Sequence, residues 1–559
     1  MLWDAIGAVR DLGRLHDIAS VLIRYGFGDL VRRVGMAGAL EKAGRALHWR
    51  APEELARLAP PARVRRALEE LGPSFVKLGQ ILATRVDLFA PEWIDELSKL
   101  QDEAPPLPFE ALRAQLTDDL GAPPEEIFPV LDTTALAAAS LAQVHRAQLP
   151  DGTEVVLKVR RPGIRPVVEA DLRLLERVAE IIDKDAPDLR RYRPREVVRQ
   201  FVLSLRRELD FAAEARNAER VAANLAERAD IVVPRIHWRW TCERLNVQDF
   251  VDGIAGRDLR RLPLAGLSAP VLARRGATAV LQMILDDGFF HADPHPGNVF
   301  YLPDNRIAFI DFGMVGRLSE TRRYEVAQVL SGLVSHDSEG VADILLDWSS
   351  ETRADTDALR DEIDAFVDQY RGVPLQRLDM TAMLADVVAI LRDHGLALPP
   401  DLALLIKAFV TLEGLGRQLD PDFDMASEAA PYLRQAMLAH NAPTAVARRG
   451  WRALASAATL LASLPRDIRT LLRAAQRGRL QVQVDVPPLD RFGERMDKAS
   501  NRLALAILTA ALIVGSSIVI SVEKEPLLAG FPPLGVSGFI AALIGALAVL
   551  ISILRSHKR

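Results

Sequence analysis

The sequence predicts a bilobed α+β protein: a small β-rich lobe, a larger helical lobe, and helical additions at both ends. Three observations carry this. AAASLAQVHRAQLPDGTEVVLKVRRPG at 137–163 reads as two strands around the turn Pro150-Asp151-Gly152. From about residue 256 to 435 the apolar spacing is helical. Between them, IVVPRIHWRWTCERLNVQDFVDG at 231–253 returns to strand and closes on a short Asp252-Gly253 loop. With 559 residues the chain has room for two or three domains.

Composition narrows the class. The net charge of −5 gives no basis for a nucleic-acid partner. The single cysteine, Cys242, can form neither an intramolecular disulfide nor a thiolate metal site, which fits a reducing compartment. The N-terminal stretch carries Asp4, Arg10, Asp11 and Arg14 and lacks an apolar leader core, so no secretory signal is expected.

Taken in order, residues 1–60 read as amphipathic helices broken at Gly26, Gly28 and Gly35. Residues 61–125 form a helical extension interrupted at Gly72-Pro73, which places Lys77, Gly79 and Gln80 near the start of a new helix. Residues 126–250 are the small lobe. Ala137, Ala138 and Ala139 precede its first long strand, where small residues let backbone N–H groups approach phosphates. Lys158 interrupts the apolar strand VVLKV and needs an anionic partner there. Glu208, Asp210 and Glu214 follow on helical sequence, and Glu214 is a candidate for that partner. Gln248 stands at the passage to residues 251–435, the larger lobe.

The chemistry concentrates in HADPHPGNVFYLPDNRIAFIDFG at 291–313. Two short apolar strands flank Pro303-Asp304-Asn305, a turn by composition. Asp293 and Asn298 precede this hairpin, and Asp311 opens D-F-G after it. The layout suits phosphoryl transfer: one carboxylate faces the attacking group, while an amide and a second carboxylate hold Mg²⁺ on phosphates. Another reading takes His291, Asp293 and His295 on one strand face as a metal cluster, but it leaves the D-F-G without a role.

Residues 436–500 are a basic amphipathic linker suited either to an anionic leaflet or to packing on the larger lobe. Within 501–559, residues 503–522 and 526–554 are uncharged, each near or above the roughly 20 residues that span a bilayer. Basic residues flank both outer ends (Arg491, Arg495, Lys498 and Arg502; Arg555, Lys558 and Arg559), so a transmembrane helix hairpin with both ends in the cytoplasm is expected.

Together these motifs resemble the UbiB family of atypical protein-kinase-like proteins. The likeness rests on FVKLGQ at 75–80, AAASLAQVH at 137–145, VVLKV at 155–159, ELDFAAE at 208–214, HADPHPGN at 291–298, DFG at 311–313 and TLEGLGRQLDPDF at 411–423. It implies a bilobed protein-kinase-like fold and an ATP site with Mg²⁺. Lys77 and Gln80 would cover the mouth of that site, with Lys77 pointing into it. Ala137, Ala138, Ala139, Ser140 and Gln143 would form an alanine-rich loop on the nucleotide, with Gln248 beside the adenine. Lys158 and Glu214 would be the lysine–helix glutamate pair, and Glu208 and Asp210 the E-x-D acids near the metal and the Lys77 motif. Asp293 would be the catalytic aspartate, and Asn298 and Asp311 the Mg²⁺ ligands. The family resemblance further implies support of ubiquinone or related prenylquinone biosynthesis at the bacterial inner membrane, with lipid, prenylquinone intermediates and other quinone-biosynthetic proteins as partners. HADPHPGN in place of H-R-D, and no A-P-E after the D-F-G, speak against a peptide acceptor. A choline- or aminoglycoside-kinase-type phosphotransferase and a nucleotide-gated scaffold are the competing readings.

Overall fold

The computed structural model describes residues 9–42, 55, 58–100, 104–186, 192–335, 337–348, 356–369, 380–394, 396, 398–441, 507–511 and 513–518. Residues 9–441 belong to one compact unit and the two short helical stretches after 506 to another. Helices of two turns or more are labelled.

In the first unit, α1 (Val9–Arg24), α2 (Pro60–Leu71) and α3 (Pro73–Leu82) share a core with α5 (Ile164–Asp185) and α6 (Pro194–Glu208). Leu15, Leu40, Leu68, Phe75, Leu172 and Phe201 lie in it. Prolines open α2, α3 and α6, where a missing N–H costs nothing. A buried polar clasp ties these helices. Arg14 donates to both oxygens of Asp171 at 2.6 and 3.1 Å, and Ser74 donates to the same carboxylate at 2.6 Å. The N-terminal helices and the extension as far as Leu100 therefore share one core with α5 and α6.

The small lobe is a sheet in the order β1 (Val130–Leu131), β3 (Ala142–Gln148), β4 (Glu154–Arg160), β6 (Leu245–Asp249), with β2 (Ala137–Ala138) also on β3. The expected β3–β4 hairpin turns at Gly152, whose φ of +89° suits glycine. Val155, Leu157, Val159, Leu245 and Val247 pack beneath α4 (Phe109–Leu120) through Phe109, Leu112 and Leu116. Thus α4, drawn from sequence into the extension, roofs the small-lobe sheet. After α6 comes α7 (Phe211–Asn224), then β5 (Ile231–Val232).

The larger lobe is helical around a second small sheet. Its order is β5, β10 (Arg306–Phe309), β9 (Val299–Leu302), β7 (Ile254–Ala255), with β8 (Phe289–His291) paired to β11 (Val315–Arg317) alongside. The helices α8 (Ala269–Leu281), α9 (Glu320–Ser335), α10 (Ser338–Trp348), α11 (Thr356–Gln369), α12 (Met380–Asp393), α13 (Pro400–Leu419) and α14 (Met425–Asn441) build the rest. Their apolar faces, the inner sides of the sheet and the buried face of α7 form the largest core.

A second buried contact joins the extension to the larger lobe. Past α3, Arg85 pairs with Asp87 at 2.7 Å, and the Leu398 N–H donates to the same Asp87 oxygen at 3.1 Å. Arg85 also reaches Gln200 on α6 at 3.3 Å.

Among the described residues no helix is long and apolar enough to cross a membrane. Of the apolar stretches expected to do so, residues 507–511 and 513–518 are helical. The rest of both stretches, and the linker from 442 on, lie outside the described residues.

Candidate functional site: a cleft with a lysine–glutamate–aspartate cluster

Strand register places the first group. Lys158 on β4 sits between Val144 of β3 and Asn246 of β6. Its ammonium meets Glu214 Oε1 and Oε2 at 2.7 and 2.8 Å, and Asp311 Oδ2 at 3.2 Å. The anion demanded by a lysine in an apolar strand is thus present twice. Glu214 occupies the first turn of α7 because Asp210 caps that helix, accepting from the Ala213 N–H at 3.1 Å.

The hairpin places the second group. β9 and β10 pair with Val299 opposite Phe309. Asn298 and Ile310 therefore leave the strands side by side, and the Ile310 N–H donates to the Asn298 carbonyl at 3.1 Å. The turn holds Asp304 and Asn305 at φ values of 63° and 55°, positions these residue types tolerate. Asp311 accepts from the Gly313 N–H at 2.9 Å. Asn298 Nδ2 donates to the Asp293 carbonyl at 3.3 Å, which leaves the amide oxygen as the group it can offer a cation. Asp293 Oδ1 lies 2.9 Å from Lys407 Nζ of α13.

Electrostatics follow from burial and these partners. Burial alone would raise the Asp311 carboxyl, but Lys158 and the Gly313 N–H hold it well below the usual carboxylate range. Burial opposes charge on Lys158, yet Asp311 and Glu214 outweigh it and keep the ammonium protonated. Burial pushes Glu214 up to about 7 against the pull of Lys158, with Asp311 and Glu208 adding to the rise. His291, buried against Phe309 and Phe312, is pushed down to about 4 by desolvation and is neutral near pH 7. Its Nδ1 accepts from the Asp293 N–H at 3.1 Å and so shapes the loop.

The alanine segment is a tight hairpin, with Ala137 and Ala138 paired to Val144 and Gln143 and the Ala139 N–H bonded to the Ala142 carbonyl. Leu141 at its tip packs into the extension core, and Arg161 donates to the Ala139 carbonyl at 2.8 Å. Ser140 Oγ is buried there without a hydrogen-bond partner.

Several of the expected nucleotide-site residues also hold partners within the protein. Gln143 is fully buried, and its amide is engaged by both backbone groups of Leu107 at 2.8 and 3.0 Å and by His145. Gln80 donates to the Leu100 carbonyl at 3.1 Å, inside the extension. Lys77 forms an ion pair with Glu208 on α6 at 3.2 Å. Asp210 is a helix cap. Gln248 accepts from Asn246 at 3.2 Å and reaches the Ile310 carbonyl at 3.4 Å, joining the small-lobe sheet to the residue before Asp311. The metal-cluster reading finds no support: among the described residues no group of three His, Cys, Asp or Glu converges, and His295 Nδ1 accepts from the Gly297 N–H at 2.9 Å. Sequence reasoning missed Lys407. The available signal was a lone lysine in the apolar run LLIKAFV, the same signal that singled out Lys158.

A small-lobe lysine paired to a helix glutamate, facing a loop aspartate, an asparagine and a D-F-G aspartate, defines a protein-kinase-like domain. The ABC1 atypical kinase-like domain matches residues 99–345, the UbiB helical domain 363–424, and the ABC1/UbiB kinase-like C-terminal domain 487–555. The chain belongs to the ABC1/UbiB family. A probable protein kinase UbiB of Xanthomonas campestris is 32% identical, covering 97% of this chain and 99% of the relative. One from Aliivibrio salmonicida is 36% identical over 78% of this chain and 81% of its own length. An uncharacterized Synechocystis protein is 32% identical over 82% of this chain and 79% of its own.

Proposed function

We propose that this protein binds Mg·ATP in the cleft and acts as an atypical kinase or ATPase supporting prenylquinone biosynthesis at a membrane. The observation that carries the reading is the joined cluster of Lys158, Glu214 and Asp311 at 2.7 to 3.2 Å. A cation held between a structural carboxylate and an exposed-side carboxylate is ready to share its charge with phosphates. The donor set fits the groups it would hold. Asp311 and Asn298 offer the hard oxygen ligands Mg²⁺ prefers, and Ser140 offers a buried hydroxyl with no partner of its own. When bound, the metal neutralises phosphate charge. Asp293 orients the acceptor and takes its proton.

Family membership and the relatives' printed names support the kinase class, and the family resemblance supports the quinone context. The two uncharged stretches flanked by basic residues support a transmembrane hairpin in the cytoplasmic membrane, with the kinase-like domain on the cytoplasmic side. The missing A-P-E segment favours water or a small, lipid-like acceptor over a peptide. Asp311→Asn in the full, detergent-solubilised chain is expected to abolish Mg-dependent ATP turnover, and wild-type turnover in that variant overturns the assignment. Quinone profiles of a deletion strain complemented with either form test the pathway separately.

A further inference from the structure

Lys407 is a cation that the kinase-like reading does not use. It interrupts the apolar run Leu404-Leu405-Ile406-Lys407-Ala408-Phe409 of α13. Such a position is costly for an ammonium unless an anion meets it. Its Nζ sits 2.9 Å from Asp293 Oδ1, and both side chains are 26% exposed, so the pair opens to the cleft instead of being sealed in the core. The same Nζ lies 4.0 Å from Met314 Sδ, just past the D-F-G. α13 thus delivers a positive charge between the loop bearing Asp293 and the loop bearing Asp311. HADPHPGN has no lysine or arginine of its own. Lys158, the other ammonium here, is held by Glu214 and Asp311.

We propose that Lys407 is a catalytic residue that contacts the terminal phosphoryl group of ATP, using Asp293 as its anchor. This rests on the reading of the cleft as a Mg·ATP site. A hydroxyl acceptor, water or an alcohol, must come within about 2.6–3.2 Å of the Asp293 carboxylate to give up its proton. An ammonium already touching that carboxylate is one further contact from the phosphorus under attack. In the transfer, the bond from the acceptor oxygen to phosphorus forms as the bond from phosphorus to the bridging oxygen breaks. The bonding pair leaves on ADP, and the acceptor's proton passes to Asp293. Negative charge spread over the peripheral oxygens is stabilised by a fixed cation at that point. A flexible four-carbon stem lets Nζ bridge Asp293 and those oxygens at once. A lysine that merely steadied Asp293 would affect turnover yet be blind to the presence of a third phosphate.

That difference is the test. Equilibrium binding of Mg·ADP and of the non-hydrolysable analogue Mg·adenylyl imidodiphosphate is measured on the full chain for wild type, Lys407→Met and Lys407→Arg, together with ATP turnover. Lys407→Met is expected to weaken the analogue about tenfold with ADP unchanged, the size of one lost charge-assisted hydrogen bond. Turnover falls about a hundredfold. Lys407→Arg keeps most of the preference for the analogue. Should Lys407→Met fail to fold, Lys407→Gln carries the same comparison. An analogue-to-ADP ratio equal to wild type in the uncharged variant overturns the proposal even if turnover drops, and leaves Lys407 as a positioning partner of Asp293. A wild-type chain that binds neither nucleotide fails the Mg·ATP reading itself, and the role of Lys407 falls with it.

Discussion

Lys158→Ala takes the cation from a buried carboxylate that it touches through both oxygens. Breaking a buried pair from one side costs about 3–5 kcal/mol if the surviving group stays charged. Glu214 has another course, which is to take up a proton. Burial already lifts its carboxyl to about 7 with Lys158 in place, and without Lys158 it rises further. The cost therefore depends on pH, and the sign follows from proton counts. Above the ordinary glutamate value of 4.5, the folded chain holds a proton at Glu214 that the unfolded chain has lost. Stability then falls with rising pH. In wild type this fall ends near 7, whereas in the variant it continues upward. Near about pH 6 the gap between the curves is what the lost Lys158–Asp311 contact and lost packing leave, and above about pH 7 it widens by up to roughly 1.4 kcal/mol per pH unit. Urea unfolding of both proteins between about pH 6 and pH 9 reads this directly. Adding Glu214→Gln to the variant removes the stranded charge and is expected to recover most of the loss at alkaline pH. A stability gap that stays flat with pH, or a double variant no more stable than the single, refutes the claim that charge compensation holds this pair.

Two further substitutions probe the scaffold. Asp210→Ala removes the cap of α7 and is expected to cost about 1 kcal/mol in urea unfolding; an unchanged midpoint would show that Glu214 is positioned without the cap. Gly79→Ala puts a methyl 2.1 Å from Leu100 Cδ1 and 2.9 Å from Leu68 Cδ1, an overpacking worth about 1–3 kcal/mol, and a neutral result would mean that the contact between α3 and its neighbours is loose.

Much of the site was legible because its determinants are local. D-x4-N, a turn of Pro, Asp and Asn, and D-F-G lie within one hairpin, so period-two strands and turn chemistry were enough to bring Asn298 and Asp311 together. Lys158 announced its need for an anion by standing in an apolar strand. What stayed hidden depends on contacts between segments far apart in sequence. Gln143 and Gln80 enter the site only through the family resemblance, and nothing local in the sequence shows that backbone groups of Leu107 and Leu100 engage their amides. Asp210 reads as one acid among three until the helix start makes it a cap. Glu208 meets Lys77 because α6 lies against α3 in a shared core; the family resemblance places these two motifs together, though no periodicity encodes that neighbour. The core that the extension shares with the N-terminal helices is hidden for the same reason: each amphipathic stripe shows that it needs a partner without saying which.

The Asp87 contact has a consequence for how the protein is made. Its carboxylate is buried beside Arg85, and the Leu398 N–H that completes its hydrogen bonds lies 311 residues downstream. A chain synthesised from its N-terminus at roughly 5–20 residues per second exposes the extension for about 15–60 s before that donor emerges. During that interval Arg85 is the partner at hand for the acid, and sealing it early would leave unmet the bond that Leu398 later supplies. The helices bearing Lys77 can gather first, but the segment just past them docks onto the larger lobe only after that lobe exists. Docking of the segment past α3 onto the larger lobe is thus a late step in assembly.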